Sequence, residues 1–183
     1  MPDGQPFHRS EYRLGPGVAG VETALRSTSQ ADADILGPAI TGMDPWARLA
    51  LSAEQMTSFL AGSNEYLRCF SIWHGGERAG VTVVRSPWLS GPYLNLLAVL
   101  PAFQQRGIGR AALAWMEAEA RIAGARNCFL CVSAFNTAAQ GFYRRNGYSD
   151  AALLNNLIKD GEDEILMRKR LDSSPGEEEN GAH

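Results

Sequence analysis

A short glycine-containing turn carries the residue types that bind a phosphorylated ligand. Residues 104–110 read Gln-Gln-Arg-Gly-Ile-Gly-Arg, after an apolar run that ends at Leu100 and before a long helical pattern. The start of a helix leaves backbone N–H groups unpaired at the positive end of the helix dipole, and glycine lets a ligand approach the backbone closely. Arg106 and Arg110 can add charge-assisted hydrogen bonds to phosphate oxygens. The pattern therefore predicts an anion site, with a pyrophosphate as the ligand that fits best.

Two classes of ligand carry a pyrophosphate, and the spacing favours one of them. Gly107-x-Gly109-x-x-Ala112 also matches the relaxed dinucleotide-binding fingerprint, which needs a carboxylate near the end of the next strand. That predicted strand ends in Val-Ser-Ala-Phe at 132–135, with no carboxylate. The glycines also lie beyond residue 100, whereas dinucleotide-binding domains usually begin at the motif. A nicotinamide-binding enzyme is therefore the disfavoured alternative.

Two motifs, in the same order along the chain, resemble those of the GNAT N-acetyltransferase superfamily. Gln104-x-x-Gly107-x-Gly109 after an apolar strand resembles the family's acyl-CoA signature. Residues 136–148 resemble its later motif, Asn-x-x-Ala followed by Tyr and then by Gly and an aromatic residue. The likeness spans about residues 93–171 and is strongest to bacterial enzymes that acetylate the N-terminal amines of ribosomal proteins. It implies an enzyme that transfers acetyl from acetyl-CoA to a primary amine, by direct attack in a ternary complex.

The resemblance also implies a role for each matching position. Backbone groups at the strand end would bind the pantetheine arm and the acyl carbonyl, the glycine turn would hold the pyrophosphate, and Asn136 would contact the pantetheine. Tyr143 would be the catalytic residue, protonating the departing thiolate. Acetyl-CoA would be the co-substrate, and no metal is expected. The implied cofactor-binding residues are Leu97, Ala98, Val99, Gln104, Gln105, Arg106, Gly107, Ile108, Gly109, Arg110 and Asn136.

Helical spacing agrees with a shared position for Asn136 and Tyr143. Seven residues make two turns, so both side chains lie on one face about 10 Å apart along the axis. A phenol's ordinary pKa near ~10 is high, but the thiolate needs only one proton in the transition state. By spacing alone, Tyr143 more often packs in a core beside Phe142, and Asn136 can be a plain helix cap.

The sequence lacks the carboxylate that usually deprotonates the acceptor amine. An ammonium group has no lone pair, so its proton must be taken before it attacks. Many family members place a glutamate where this chain has Asn95, and the ribosomal-protein enzymes place one where it has Cys131. A water relay or an acceptor of low pKa would also serve, and His74 is expected to face solvent in a hairpin turn. The other candidate bases are Asp44, Glu65, His74 and Glu77.

The acceptor side is expected to come from the N-terminal helices and the last hairpin. Trp46, Trp73 and Trp88 could line an acceptor pocket, although such aromatic residues more often belong to the core. Four acids within residues 160–164 could attract a cationic amine, but a solvated turn is the simpler interpretation. The missing carboxylates leave a second function open, a non-catalytic acyl-CoA-binding sensor.

The elements that must position this site follow from periodicity and turn residues. The sequence predicts an α/β fold: one domain with a mixed central sheet flanked by helices, in which the strands at 93–100 and 127–133 are parallel. The resemblance implies the acyl-CoA N-acyltransferase type of this fold, in which those two strands splay apart. Helices are predicted within 18–43 (broken at Gly37-Pro38), from Asp44-Pro45, from Ser52 to about Leu60, and over 107–123 and 136–146. Strands are predicted over 11–14, 66–73, 79–85, 93–100, 127–133, 151–158 and 164–171.

Length and composition limit the number of domains and the classes of function that are expected. The chain has 183 residues and a net charge of −3, so one domain is expected, without nucleic acid as a partner. No apolar run is long enough for a membrane span or a signal peptide, so a cytoplasmic location is expected and a homodimer is left open. The domain prediction is a flexible lead-in over 1–10, the acetyltransferase domain over 11–171, and an acidic disordered tail over 172–183.

The cysteines predict neither a disulfide framework nor a metal site. Three cysteines are an odd number, which argues against a disulfide framework. Cys128 and Cys131 fall on one predicted strand, where residues three apart point to opposite faces. They are therefore expected to be two separate strand cysteines.

Overall fold

The structure, a computed structural model, describes residues 6–16 and 20–171. These residues form four α-helices and one eight-stranded sheet of order β1-β2-β3-β4-β5-β6-β8-β7, which confirms the predicted fold class. The strands are β1 (Glu11–Pro16), β2 (Glu22–Ser27), β3 (Leu67–His74), β4 (Glu77–Trp88), β5 (Gly91–Val99), β6 (Asn127–Ser133), β7 (Ser149–Lys159) and β8 (Glu162–Arg170). The helices are α1 (Gln30–Thr41), α2 (Ala53–Ala61), α3 (Ile108–Ile122) and α4 (Thr137–Arg145).

The central feature of the sheet is the parallel pair β5–β6. The two strands pair only at Tyr93 with Phe129 and at Leu94 with Leu130, and then separate. Every other neighbouring pair is antiparallel. The splayed parallel strands that the sequence predicted are therefore present, with α3 as the connection between them.

A β-bulge at Asn95 accompanies this separation. Opposite β4, Leu94 and Leu96 occupy consecutive register positions, which leaves Asn95 as the extra residue. Leu94 packs into the core cluster that contains α3, whereas Leu96 packs into the cluster that contains α1 and α2. The bulge thus changes which sheet face each later β5 side chain meets.

Hydrophobic residues on both sheet faces hold the helices in place. On one side, Leu113 and Met116 of α3 pack among buried strand residues. On the other, Leu36 of α1 and Leu60 of α2 pack against Val81 of β4. The cleft between β5 and β6 therefore lies in a sheet that is packed on both faces.

The N-terminal third differs most from the sequence prediction. Strand β2 was expected to be helical, but Thr23, Ala24 and Leu25 are buried between β1 and β3. Helix α1 continues through Gly37-Pro38 instead of breaking there. Its close packing on α2 explains this, because Thr57 approaches the Gly37 backbone with no room for a side chain. Tertiary contacts override local propensity in both places.

The segment after α1 is also corrected. The helix predicted from Asp44-Pro45 is instead a series of turns from Asp44 to Ala50, held by isolated bonds such as Leu49 N–H to Pro45 O at 3.0 Å. The second predicted start is confirmed, since Ser52 and Gln55 form a reciprocal capping box at α2. The turn series matters because it carries Trp46 to the β5–β6 opening.

The structure describes only part of the predicted chain ends. Within the predicted lead-in over 1–10, Phe7 is 1% exposed and packs edge-on against Trp115 at a ring-centroid distance of 5.2 Å. The predicted acidic tail over 172–183 lies outside the described residues. Within the described residues, no helix combines the length and apolar character that a membrane crossing needs.

Candidate active site

A cleft of about 530 Å³ opens where β5 and β6 separate. The end of β5, the turn before α3, the start of α3 and one face of α4 form its walls, and Trp46 lines it from the turn series. Arg106 is the one predicted site residue that does not line it; its guanidinium lies over the Phe103 ring at 5.4 Å. The predicted residues that do line it are Leu97, Ala98, Val99, Gln104, Gln105, Gly107, Ile108, Gly109, Arg110, Asn136 and Tyr143.

The turn before α3 leaves helix N–H groups free. Gly107 is the N-cap residue at φ +74°, and no side chain caps this helix, unlike the other three α-helices. The first intrahelical bond runs from Ala111 N–H to Gly107 O at 3.0 Å. Gln105 is also left-handed, at φ +62°. Such alternation of backbone conformations makes successive N–H groups converge, which suits an anion.

Two arginines bring positive charge to the cleft. Arg110 from α3 was expected there, whereas Arg145 from α4 was missed by the sequence analysis. Gly141, one turn before Arg145, leaves room for its guanidinium, since a side chain there would approach Arg145 Nη1 at 3.1 Å. The helical period that placed Tyr143 could have raised Arg145 as a candidate, but no motif marks it.

The open edge of β5 supplies the backbone groups of the cleft. Beyond Leu94, the ladder to β6 has no further pairs. On that edge, Gln104 Nε2 donates to Val99 O at 3.0 Å, which ties the glycine turn to the strand end. Gln104 therefore has a positioning contact of its own, beside the cofactor role that the resemblance implies.

Tyr143 lies at the inner end of the cleft. It is buried on α4 between Phe142 and Tyr148, with ring-centroid distances of 5.2 and 6.0 Å. Burial raises the pKa of its phenol, so the hydroxyl stays protonated at neutral pH. Asn136 caps α4 by accepting from Ala139 N–H at 3.1 Å, while it also lines the cleft.

A second, smaller chamber of about 140 Å³ adjoins the cleft. Six residues line both cavities, so the two meet along a shared wall that includes Tyr143: Pro45, Trp46, Leu97, Asn136, Ala139 and Tyr143. The chamber's remaining apolar residues come from the turn series, from β5 and β6, and from β7. Its polar lining residues include Tyr93, Asn95, Cys131, Ser133 and Glu164.

Glu164 is the functional candidate that sequence reasoning missed. It was assigned to a solvated turn, but it is 3% exposed, and the Ser133 hydroxyl donates to its Oε1 at 2.6 Å. Burial raises the pKa of Glu164, and the Ser133 hydrogen bond opposes this only in part. The signal was register: Glu164 pairs with Ser133 across β6–β8, so it faces the chamber side with Cys131.

The other hairpin acids do not share this environment. Glu162 accepts from Arg48 Nε at 3.0 Å, and Arg48 stacks over Phe135 at 3.9 Å. Asp163 accepts from Asn155 Nδ2 and from Asn156 N–H, both at 3.1 Å. Glu162 and Asp163 are therefore paired and do not form an acidic rim, and Glu164 alone among these three lines the chamber.

The alternative bases have separate surroundings. His74, expected to face solvent, is 4% exposed and its Nδ1 lies 2.9 Å from Thr23 Oγ1. This is because the strand continues to His74, which places it under Phe103 and not in the turn. Asp44 is exposed but lines the cleft, whereas Glu65 lines a different cavity.

Some of the tryptophans and cysteines line the cavities, whereas others pack elsewhere. Trp46 lines both cavities, whereas Trp73 lies beneath Arg78 at 4.6 Å and Trp88 packs on Phe129. Cys128 is buried in the core cluster with α3, and Cys131 lines the chamber on the other side of β6. Burial raises the pKa of the Cys131 thiol. The thiol therefore stays protonated at neutral pH, where it is not a base.

Comparison with known proteins agrees with this architecture. The model of the acetyltransferase (GNAT) family matches residues 38–148. A Methanocaldococcus jannaschii protein, named as an uncharacterized N-acetyltransferase, is 33% identical over 132 residues, which cover 70% of this chain and 84% of that protein.

Two solved structures show the same fold. The ribosomal-protein-S18-alanine N-acetyltransferase of Escherichia coli superposes with a TM-score of 0.64 at 24% identity, covering 88% of this chain and 99% of that one. Mycobacterium smegmatis RimJ, in complex with CoA-disulfide, superposes with a TM-score of 0.69 at 19% identity, covering 93% and 92%. By its family match and its curated relative, the chain belongs to the acetyltransferase (GNAT) family, a family of acetyl-CoA-dependent N-acetyltransferases.

Proposed function

We propose that this protein transfers the acetyl group of acetyl-CoA to a primary amine, by direct attack within a ternary complex. The observation that carries the proposal is the meeting of two cavities at Tyr143. One cavity has the groups that bind a nucleotide thioester, and the other is a small chamber suited to an amine. A proton donor between them is where a leaving thiolate would need it.

The cleft offers groups suited to the pyrophosphate and to the pantetheine arm of acetyl-CoA. The uncapped start of α3 and the left-handed Gln105 and Gly107 offer N–H groups to the pyrophosphate, with Arg110 and Arg145 supplying charge. The open β5 edge at 97–99 offers backbone hydrogen bonds to the pantetheine arm. Acetyl-CoA would supply an activated acyl thioester, and this chain's groups would bind and orient it.

The reaction requires one bond to form and one to break. The amine nitrogen attacks the acyl carbon, and a backbone N–H near 97–99 would stabilise the oxyanion that forms. The carbon–sulfur bond then breaks and the sulfur takes a proton from Tyr143. Since a thiol's ordinary pKa of about 8.5 lies below that of a phenol, the proton moves only as the sulfur departs. The phenolate recovers its proton as the product amide loses one.

Thiol release with a panel of amines tests the proposal. The panel contains a polyamine, free amino acids, peptides with free N-terminal amines, ethylamine and 2,2,2-trifluoroethylamine. We expect free CoA thiol to appear in step with an acetylated amine that is identified by mass. Binding of acetyl-CoA, seen as a raised melting temperature, without thiol release on any amine would favour the sensor. A raised melting temperature with NAD(H) and not with acetyl-CoA would favour the nicotinamide alternative.

A further inference from the structure

We propose that Glu164 is the general base that takes the proton of the acceptor amine. The inference rests on the proposed function, because it assigns a role in that same transfer. It places the base on the last strand along the chain, two residues beyond the start of β8. Neither of the positions where the sequence analysis looked for a carboxylate, Asn95 and Cys131, carries one.

The first support is position. Asn95, Cys131 and Glu164 line one chamber, so the carboxylate enters the same space from the neighbouring strand. Register explains how, since Ser133 pairs with Glu164 and Cys131 pairs with Leu166 across β6–β8. A base on β8 can therefore serve the chamber that a base on β5 or β6 would serve.

The second support is the arrangement of acid and base around one space. Tyr143 lines the chamber from α4 and Glu164 lines it from β8. An amine held there would have a proton acceptor and a proton donor within one cavity, as attack on a thioester and departure of a thiolate require. The phenol of Tyr143 can donate a proton, and the carboxylate of Glu164 can accept one.

The third support is the local charge. The Ser133 hydroxyl is the protein donor to Glu164, at Oε1, among the described residues. Tyr93 and Cys131 face it from β5 and β6, and both stay neutral because burial raises their pKa values. Glu162, on the same hairpin, is bonded by Arg48 through Nε at 3.0 Å and Nη2 at 3.3 Å. With Glu162 paired to an arginine, Glu164 is left as the chamber's carboxylate for a cationic amine.

The proton balance is simple. The ammonium form of the acceptor gives one proton to the Glu164 carboxylate, which becomes a carboxylic acid. The neutral amine attacks the acyl carbon, and the departing sulfur receives its proton from Tyr143. The product amide's proton restores Tyr143, and the Glu164 proton goes to solvent. One proton is released for each acetyl group transferred.

A pair of amines of different pKa separates a base from a merely structural residue. Ethylamine is charged at neutral pH and must be deprotonated, whereas 2,2,2-trifluoroethylamine is of similar size and largely neutral. Glu164→Gln is expected to lower kcat/KM for ethylamine about 100-fold, within the range for a general base. For trifluoroethylamine the ratio of variant to wild type should stay within about threefold. Affinity for acetyl-CoA should be unchanged, and Asp160→Asn, an exposed acid in the same hairpin, is the matched control.

A pH profile gives the second measurement, with the best acceptor of the panel. The wild type should gain activity with rising pH as Glu164 ionises, and Glu164→Gln should lose that limb. Ser133→Ala should move the limb to higher pH, because the carboxylate loses the hydrogen bond that stabilises its charged form. This variant keeps the test open if Glu164→Gln folds poorly.

The outcomes distinguish the two proposals. Wild-type silence with every amine would overturn the proposed function and this inference with it. Normal turnover by Glu164→Gln, or an equal loss with both amines and an unmoved pH limb, would overturn Glu164 as the base while the acetyltransferase proposal stands. If only other panel amines react, the limb's presence in the wild type and absence in Glu164→Gln decides.

Discussion

The two cavities differ in how the chain builds them. The cofactor half is the cleft, whose predicted residues lie within 97–110 and at Asn136 and Tyr143. The acceptor half is the chamber, which takes walls from the turn series near Trp46, from β5 and β6, and from β8. The first depends largely on local backbone conformation, and the second depends on side chains that only the sheet register brings together.

The chemistry of the two halves differs accordingly. The cofactor half offers backbone N–H groups and exposed arginines, which bind charge without being buried. The acceptor half holds groups whose pKa values are raised by burial, namely Tyr93, Cys131 and Glu164. A binding surface for a soluble nucleotide can remain wet, whereas proton transfer benefits from groups removed from water. Tyr143 lines both cavities, so a substitution of Tyr143 tests the difference between the two halves directly.

The largest expected effect is a loss of stability at the end of β5 that lies against β6. Gly91 begins β5 at the closed end of the splay, and a side chain there would overlap the carbonyl of Asn127 at the start of β6. Because both neighbours are backbone, Gly91→Ala should cost about 3 kcal/mol of unfolding free energy or more. Urea unfolding measures this. Gly42→Ala is the control, since Gly42 has a φ of −79° and a side chain there would meet its nearest atoms only at 3.6 and 3.7 Å, so a similar loss there would contradict the packing explanation.

The next effect separates binding from turnover. Tyr143→Phe should keep acetyl-CoA affinity, because the ring and its packing remain, but lower turnover at least about tenfold by removing the proton donor. Tyr148→Phe is the matched control, since Tyr148 is also a buried tyrosine, packs against Tyr143, and lines neither cavity. Steady-state kinetics and calorimetric titration with acetyl-CoA check both variants. Unchanged turnover in Tyr143→Phe would remove this hydroxyl from the mechanism.

Sequence reasoning succeeded where function depends on local backbone. The capping box at Ser52, the strand at 127–133 and the turn at Gly107 were predicted because caps, periodicity and glycine act over a few residues. The glycine turn is the clearest case, since Gly107 takes the left-handed conformation that frees the helix N–H groups. Most predicted cofactor residues therefore line one cleft.

The same reasoning failed where tertiary contacts decide. Strand β2 was missed because a short strand between two others needs little intrinsic propensity. Glu164 was grouped with the acids of a solvated turn, although it began the predicted strand over 164–171. Strand β8 begins at Glu162, so Glu164 lies two residues inside it and is buried. Arg106 was assigned to the phosphate because of its charge, and the structure places its guanidinium over Phe103, with Arg106 absent from the cleft lining.

Arginine substitutions test which charged side chains contribute to CoA binding in the cofactor half. Arg145→Ala and Arg110→Ala should each weaken CoA binding about fivefold, roughly 1 kcal/mol, and the losses should shrink as salt is raised. Arg106→Ala should have less effect, because that side chain lies outside the cleft lining. Arg144→Ala, whose guanidinium is bonded to Asp150 at 2.7 Å, is the matched control on α4. Titration with CoA at two salt concentrations measures these affinities, and a larger loss for Arg106 than for Arg145 would reverse the structural assignment.

The smallest expected effect is on the melting temperature, through the burial of the Glu164 carboxylate in the acceptor half. Burial raises the pKa of Glu164 above its ordinary value of 4.5, so the folded state binds this proton more tightly than the unfolded chain does. The resulting stabilisation is complete below the ordinary pKa and is lost as the pH rises through the folded pKa. Glu164→Gln keeps an oxygen that can accept from Ser133 and carries no charge.

The variant should therefore melt higher than the wild type at pH 7, and the difference should shrink as the pH falls towards 4. Calorimetric melting across this range measures it, with Asp160→Asn expected to show no such gain. A variant that melts lower than the wild type at pH 7 would mean that the buried carboxylate stabilises the fold. A gain in stability that accompanies a loss of turnover would place Glu164 among the groups that a protein keeps for activity at the expense of stability.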